Sequence, residues 1–170
     1  ASMERRRRGK TGLLRSAHML GNEEEIIFAA TDLLADTKLA PELSNEAHYY
    51  RAKAYLDAGK TDGAMEDLKV LAKDTRNVYG AEAKYKVAQI YFDGGQTDKA
   101  EQEVLNYIEV STPHTYWLAR SFVLLADVYM KLGRNLDAKQ YLLSLKQNYQ
   151  ADDDIAGMIE SRLEKLKTEN

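Results

Sequence analysis

Cysteine is absent from the 170 residues, which excludes disulfides and thiol chemistry and fits a cytosolic or a periplasmic setting equally. Proline occurs twice and glycine ten times, a scarcity of breakers that favours an all-helical chain. No apolar run approaches the roughly 18 to 20 residues that span a bilayer, and the N-terminus lacks the apolar core of a signal peptide; an exported protein would already have lost its signal. No phosphate-binding loop, dinucleotide fingerprint, HExxH zinc motif or GxSxG elbow is present. The three histidines, His18, His48 and His114, are too far apart for ligand spacing and read as surface or packing residues. Asp152, Asp153 and Asp154 lack the glycine and remaining oxygen ligands of a calcium loop and read as a helix cap. No cofactor, metal site or small-molecule substrate is therefore expected, and no catalytic residue can be named.

What the chain does contain is globular material, 44% hydrophobic and 30% charged, enough for one domain with a sizeable core. The stretch from Ala81 to Ile108 reads as two amphipathic helices around a glycine turn. Ala81, Tyr85, Ala88, Tyr91 and Phe92 fall on one stripe of a 3.6-residue period. Gly94 and Gly95 stop that helix, Thr97 or Asp98 can cap the next, and Ala100, Val104 and Tyr107 continue the stripe.

The same pattern recurs on both sides. Tyr55, Tyr91 and Tyr129 stand 36 and 38 residues apart, as do Ala52, Ala88 and Ala126. A glycine follows each tyrosine four residues later (Gly59, Gly95, Gly133) and an alanine nine residues later (Ala64, Ala100, Ala138). Leu68, Val104 and Leu142 match, as do Leu71, Tyr107 and Leu145. Small residues recur where two helices must approach closely, and large ones fill the space between hairpins. The unit cannot hide its own apolar face, so copies must stack.

This series resembles the tetratricopeptide repeat (TPR), a helix-turn-helix of about 34 residues that stacks into a right-handed superhelix. It departs from the family pattern at the early tryptophan position, which holds His48, Lys84 and Phe122, and in lacking the usual proline at the repeat end. The resemblance implies an all-α, right-handed solenoid of about four hairpins in a single domain over residues 1–170. The repeats are read at 3–38 (degenerate, with Ala17 at the tyrosine position), 42–74, 78–110 and 114–149. A helix over 152–167, with Ile155, Ile159, Leu163 and Leu166 on one face, closes the array.

Charge is unevenly spread. Residues 1–15 carry Arg5, Arg6, Arg7, Arg8, Lys10 and Arg15 against Glu4, about +5, leaving roughly −8 on the rest. A basic arm suggests nucleic acid or an anionic surface, but no aromatic residue interleaves the arginines to stack on bases, which favours a solvated helix of a hairpin.

The resemblance also implies a function: the first helix of each hairpin lines an inner face that binds a protein or peptide. Carried over by register, the contact positions are Arg15 and His18 in the first repeat and Tyr49, Lys53 and Leu56 in the second. Tyr85, Gln89 and Phe92 follow in the third, and Val123, Asp127 and Met130 in the fourth. For Tyr49, Tyr85 and Phe92, packing on the adjacent repeat competes with a groove role. The family's carboxylate clamp of Lys and Asn is not reproduced, since those positions hold Tyr49, Lys53, Tyr85 and Gln89. The repeat length, the Ala-Glu-Ala-x-Tyr opening and connectors such as Thr75-Arg76-Asn77 look more like bacterial envelope repeats, which implies a periplasmic scaffold. The sequence thus predicts a non-catalytic interaction scaffold, with self-association through exposed end hairpins, or anion binding through the arginine run, as alternatives.

Overall fold

The computed structural model describes residues 2–168, and among them there are nine helices and no strand. The chain falls into two compact units, Ala1–Asp74 and Thr75–Asn170. Unit 1 holds α1 (Met3–Leu20), α2 (Glu23–Leu34), α3 (Pro41–Asp57) and α4 (Thr61–Leu71). Unit 2 holds α5 (Val78–Asp93), α6 (Thr97–Glu109), α7 (Thr115–Lys131), α8 (Asn135–Asn148) and α9 (Ile155–Thr168).

Each hairpin turns through one left-handed glycine. At Gly95 φ is +78°, a conformation that a Cβ would strain, and Gly21, Gly59 and Gly133 share it. The residue after each glycine donates its N–H back across the turn. Asn22 donates to the Ala17 carbonyl at 3.3 Å, and Lys60, Gln96 and Arg134 donate to those of Tyr55, Tyr91 and Tyr129 at 2.7, 2.8 and 2.8 Å. The recurring Tyr position is thus also where the helix end is sealed, and Ala17 takes that role in the first hairpin.

The turn is so short that the sealing residue also opens the next helix. Gln96 is the N-cap of α6, with no side-chain capping bond, so the cap expected from Thr97 or Asp98 is displaced by the backbone seal. Asparagine side chains do cap: Asn22, itself a sealing residue, accepts from Glu25 N–H at 3.1 Å, and Asn77, after a longer connection, accepts from Tyr79 and Gly80. Asn77 therefore starts α5 at Val78. Pro41 occupies the first turn of α3 as its fixed φ favours. Of the three aspartates before α9, Asp153 accepts from the Ile155 N–H at 2.9 Å.

In unit 1, α1 packs on α2, α2 on α3 and α3 on α4, and α1 also reaches α3. Leu14, Ile26, Ala30, Leu33 and Ala47 form its core. In unit 2 the order is the same, with α5 also against α7 and α7 against α9. Its core runs from Val104 and Tyr107 through Leu124, Leu125 and Leu142 to Ile155 and Ile159. The alanines at the predicted close approaches, Ala52, Ala64, Ala88, Ala100, Ala126 and Ala138, are all at most 1% exposed. Loops in unit 2 are tied one repeat apart: the Thr75 hydroxyl donates to the Ser111 carbonyl at 2.9 Å, and the Thr112 hydroxyl donates to the Thr75 carbonyl at 2.7 Å. Unit 2 is held at its loops as well as its core.

Candidate interaction surface

In unit 1 the predicted positions lie on α1 and α3. The Arg15 guanidinium donates two bonds to Glu46, at 2.8 and 3.0 Å. His18 stacks on Tyr50, with ring centroids 4.0 Å apart and planes 10° from parallel. Tyr50 in turn tilts against Tyr49 at 6.1 Å, and the Lys53 ammonium lies 5.3 Å from the Tyr49 ring centre. Leu56 is half-buried. Tyr50, which stacks on His18, is not among the predicted residues.

In unit 2 three of the predicted positions, Phe92, Asp127 and Met130, face α9. Asp127 accepts two bonds from Arg162 of α9, at 2.7 and 2.9 Å. Phe92 of α5 and Met130 of α7 are half-buried. With Lys131, Ser161 and Lys165 they line a cleft of about 580 Å³ that also includes Asp127 and Arg162. The α9 helix, read from sequence as an end cap, therefore supplies one wall of that cleft.

Tyr85 and Val123 depart from the expectation. Val123 is 3% exposed and belongs to the core, out of reach of a partner. Tyr85, at 6%, lies under Trp117 at a centroid distance of 5.7 Å. Its hydroxyl donates to Gln89 at 2.8 Å and accepts from Arg120 at 3.0 Å. Gln89 passes the chain on to Asp93, while Arg120 also donates to the Tyr116 hydroxyl at 3.0 Å, which donates to Asp154. The Arg120 guanidinium sits 4.9 Å from the Tyr85 ring centre, an added cation–π contact. Burial pushes the Tyr85 hydroxyl above its ordinary pKa, against the pull of Arg120, so it stays a proton donor to Gln89. Of the two roles weighed for Tyr85, packing is the one its environment supports.

Arg120 and Arg162 are the residues that the sequence reading missed. Each reaches back 35 residues to the preceding first helix, to Tyr85 and Asp127 respectively. Register shows which face of α5 or α7 points inward; it does not show what the following helix lays on that face. A basic residue on the inward stripe of a helix, facing a polar position about one repeat earlier, was the available signal.

The basic stretch at the N-terminus is the first helix of a hairpin. Arg7 pairs with Asp36, Lys10 with Asp32 at 3.4 Å, and Arg15 with Glu46. Arg5, Arg6 and Arg8 have no ion-pair partner among the described residues. His48 lies against Asp67 at 2.7 Å, and His114 contacts the Arg76 carbonyl at 2.9 Å. Among the described residues no group of three or more acidic or histidine side chains is placed to hold a metal ion, and no helix is long and apolar enough to cross a membrane.

Residues 46–74 and 119–147 each match a tetratricopeptide-repeat family model. The fold is similar to a crystal structure of the nearly identical TPR-like repeats of a kinesin-light-chain-like protein from Podosopora anserina. A glutamine-to-methionine form of that protein matches with a TM-score of 0.60 at 16% identity, over 99% of this chain and 96% of that one. The form without that substitution gives 0.57 at 16% identity, over 96% and 94%. At that identity the likeness speaks for the fold. No curated protein sequence matches the chain. The narrower resemblance to bacterial envelope repeats has no counterpart in these matches. Two segments of the chain, residues 46–74 and 119–147, are thus similar to tetratricopeptide repeats, and the fold is the all-α, TPR-like solenoid class that the resemblance implies.

Proposed function

We propose that the protein is a non-catalytic interaction module and that, within unit 2, the cleft between α5, α7 and α9 receives an extended peptide segment. Tetratricopeptide repeats generally serve protein–protein interaction, and the observation that carries the reading to this site is the cleft's lining. Phe92 and Met130 offer an adaptable apolar floor, and Met in particular can fit varied side chains. Lys131 and Lys165 stand exposed at its edge, while Arg162 is already engaged by Asp127. An apolar anchor side chain flanked by carboxylates is the complementary ligand. In unit 1, the Tyr49–Tyr50–His18 surface is a second contact area whose rings gain from desolvation.

Selection of binding peptides from a displayed library, followed by fluorescence anisotropy, tests this. Phe92→Ala together with Met130→Ala should weaken the selected peptides by at least about tenfold, the scale of an anchor contact. Lys165→Glu should weaken the acidic ones further. Thermal unfolding by circular dichroism must show the variants folded. Affinities that ignore both substitutions place binding elsewhere. Tyr85 is unsuited to the test, because its removal breaks the Gln89–Arg120 network.

A further inference from the structure

The outward side of the first hairpin carries an apolar patch that nothing within unit 1 covers. Leu13 and Leu20 of α1 and Phe28 of α2 are 68%, 78% and 76% exposed. Exposure of that degree at three large side chains on one hairpin marks an interaction face. Leu13 and Phe28 border a cleft of about 420 Å³ floored by the small side chains of Ala17 and Ala29. Gly9 lies one turn before Leu13 on the same stripe of α1, and a Cβ there would meet nothing within 4 Å. Glycine weakens a helix relative to alanine, and no packing within the unit requires it at this position, whereas close approach of another helix would.

Charge selects the occupant. Arg5 and Arg6, which have no ion-pair partner among the described residues, lie at one end of the hairpin beyond the Lys10–Asp32 pair, and Glu24 and Glu25 lie at the other, because α1 and α2 run antiparallel through the Gly21 turn. The ends are separated by the rise of α1 from Arg6 to Leu20, about 21 Å at 1.5 Å per residue. A wholly acidic or wholly basic partner would be repelled by one end. A second copy of this face, turned by a two-fold axis that reverses the helices, brings each basic end to the other's acidic end with the apolar patches meeting between them. We infer that the protein forms a two-fold homodimer through the α1–α2 face, with Phe28 of each copy entering the cleft beside Leu13 of the other.

Sedimentation velocity over about a hundredfold range of concentration should show the mass moving from one chain to two, with no larger species. Phe28→Glu and Leu13→Glu, both at exposed positions, should abolish the dimer while leaving the circular dichroism spectrum and melting unchanged. Charge reversal gives a second, independent readout. Arg5→Glu with Arg6→Glu makes both ends acidic, and Glu24→Arg with Glu25→Arg makes both basic. Each variant alone should be monomeric, and an equimolar mixture should recover dimers containing one of each. A monomer at every concentration, a dimer indifferent to Phe28→Glu and Leu13→Glu, an open series of masses, or failure of the mixture to pair would each overturn the inference.

Discussion

The second hairpin, in unit 1, and the last, in unit 2, close the same position with opposite chemistry. In the second hairpin His48 of α3 meets Asp67 of α4 at 2.7 Å, and Arg51 adds two bonds to the same carboxylate at 2.9 and 2.7 Å. One repeat on, in unit 2, the equivalent pair is Lys84 and Glu103, 3.0 Å apart. One further repeat on it is Phe122 and Tyr141, stacked at 6.2 Å. Arg51 itself corresponds to Val87 and Leu125, both buried. The repeat therefore demands a mutually satisfied pair at this place and leaves its chemistry open. An ion cluster meets the demand only while every member is present, since each charge has left water; stacked rings carry no such condition.

The sharpest way to break the comparison is at Asp67, which is 1% exposed. Burial alone would raise its carboxyl; His48 and Arg51 reverse that and hold it below the ordinary carboxylate range. Asp67→Ala leaves the Arg51 guanidinium and the His48 ring without their shared acceptor in a low-dielectric space and should cost about 3 to 5 kcal/mol in urea unfolding. The triple replacement His48→Phe, Arg51→Leu and Asp67→Tyr, which installs the residues of the last hairpin, should return stability to within about 1 kcal/mol of the original. A triple variant as weak as Asp67→Ala would show that the two solutions are not interchangeable.

Next in size is a divergence with pH. The Asp67 carboxyl has a lowered folded pKa, so its contribution is complete above its unfolded value, near 4, and is lost as pH falls through the folded one. Tyr107 in unit 2 is fully buried, donates to the Ala81 carbonyl at 3.1 Å, and is pushed up to about 12 by burial. Its contribution is complete below its unfolded value, near 10, and is lost as pH rises through about 12, a loss of roughly 2 to 3 kcal/mol. Acid should therefore weaken unit 1 first and alkali unit 2. The single tryptophan, Trp117, lies in unit 2 and reports on that unit by fluorescence, while circular dichroism follows both. Coincident loss of the two signals in acid would refute the assignment. Tyr107→Phe removes the hydroxyl and with it much of the alkaline step, at a cost near 1 to 2 kcal/mol at neutral pH for the Ala81 carbonyl left unpaired.

The helix pattern was legible because backbone geometry enforces it. A left-handed turn needs Gly21, Gly59, Gly95 and Gly133, and close helix approach needs the paired alanines, so both leave residues at fixed intervals. The site was less legible. Phe92, Asp127 and Met130 do share one cleft, but Val123 at the same register is core, since packing between α5, α7 and α9 depends on the size of what comes next in space. Arg120 and Arg162 carried no local signal, because long side chains choose partners across helices. The departure of His48 and Lys84 from the expected tryptophan was visible; that each was matched by an acid, Asp67 and Glu103, became visible only when the helices were paired.

The smallest contrast concerns what lies over the recurring tyrosines. The Arg134 guanidinium is 4.3 Å from the Tyr129 ring centre and is itself held by Asp137 at 2.8 Å, whereas the Lys99 ammonium is 5.6 Å from Tyr91 without such support. In unit 1 the position of Lys99 is taken by Gly63, which lies so close to the Tyr55 ring that a Cβ would come within 3.1 Å of it. Tyr129 is also the more buried ring, at 5% exposure, so its cation acts across less water. Arg134→Met should then cost about 0.5 to 1 kcal/mol and Lys99→Met about half of that or less, at the edge of what replicate urea titrations resolve. Equal costs at the two positions would mean that neither the shorter distance nor the Asp137 brace matters, and that the glycine of the second hairpin and the cations of the later ones are alternative ways to cover a ring.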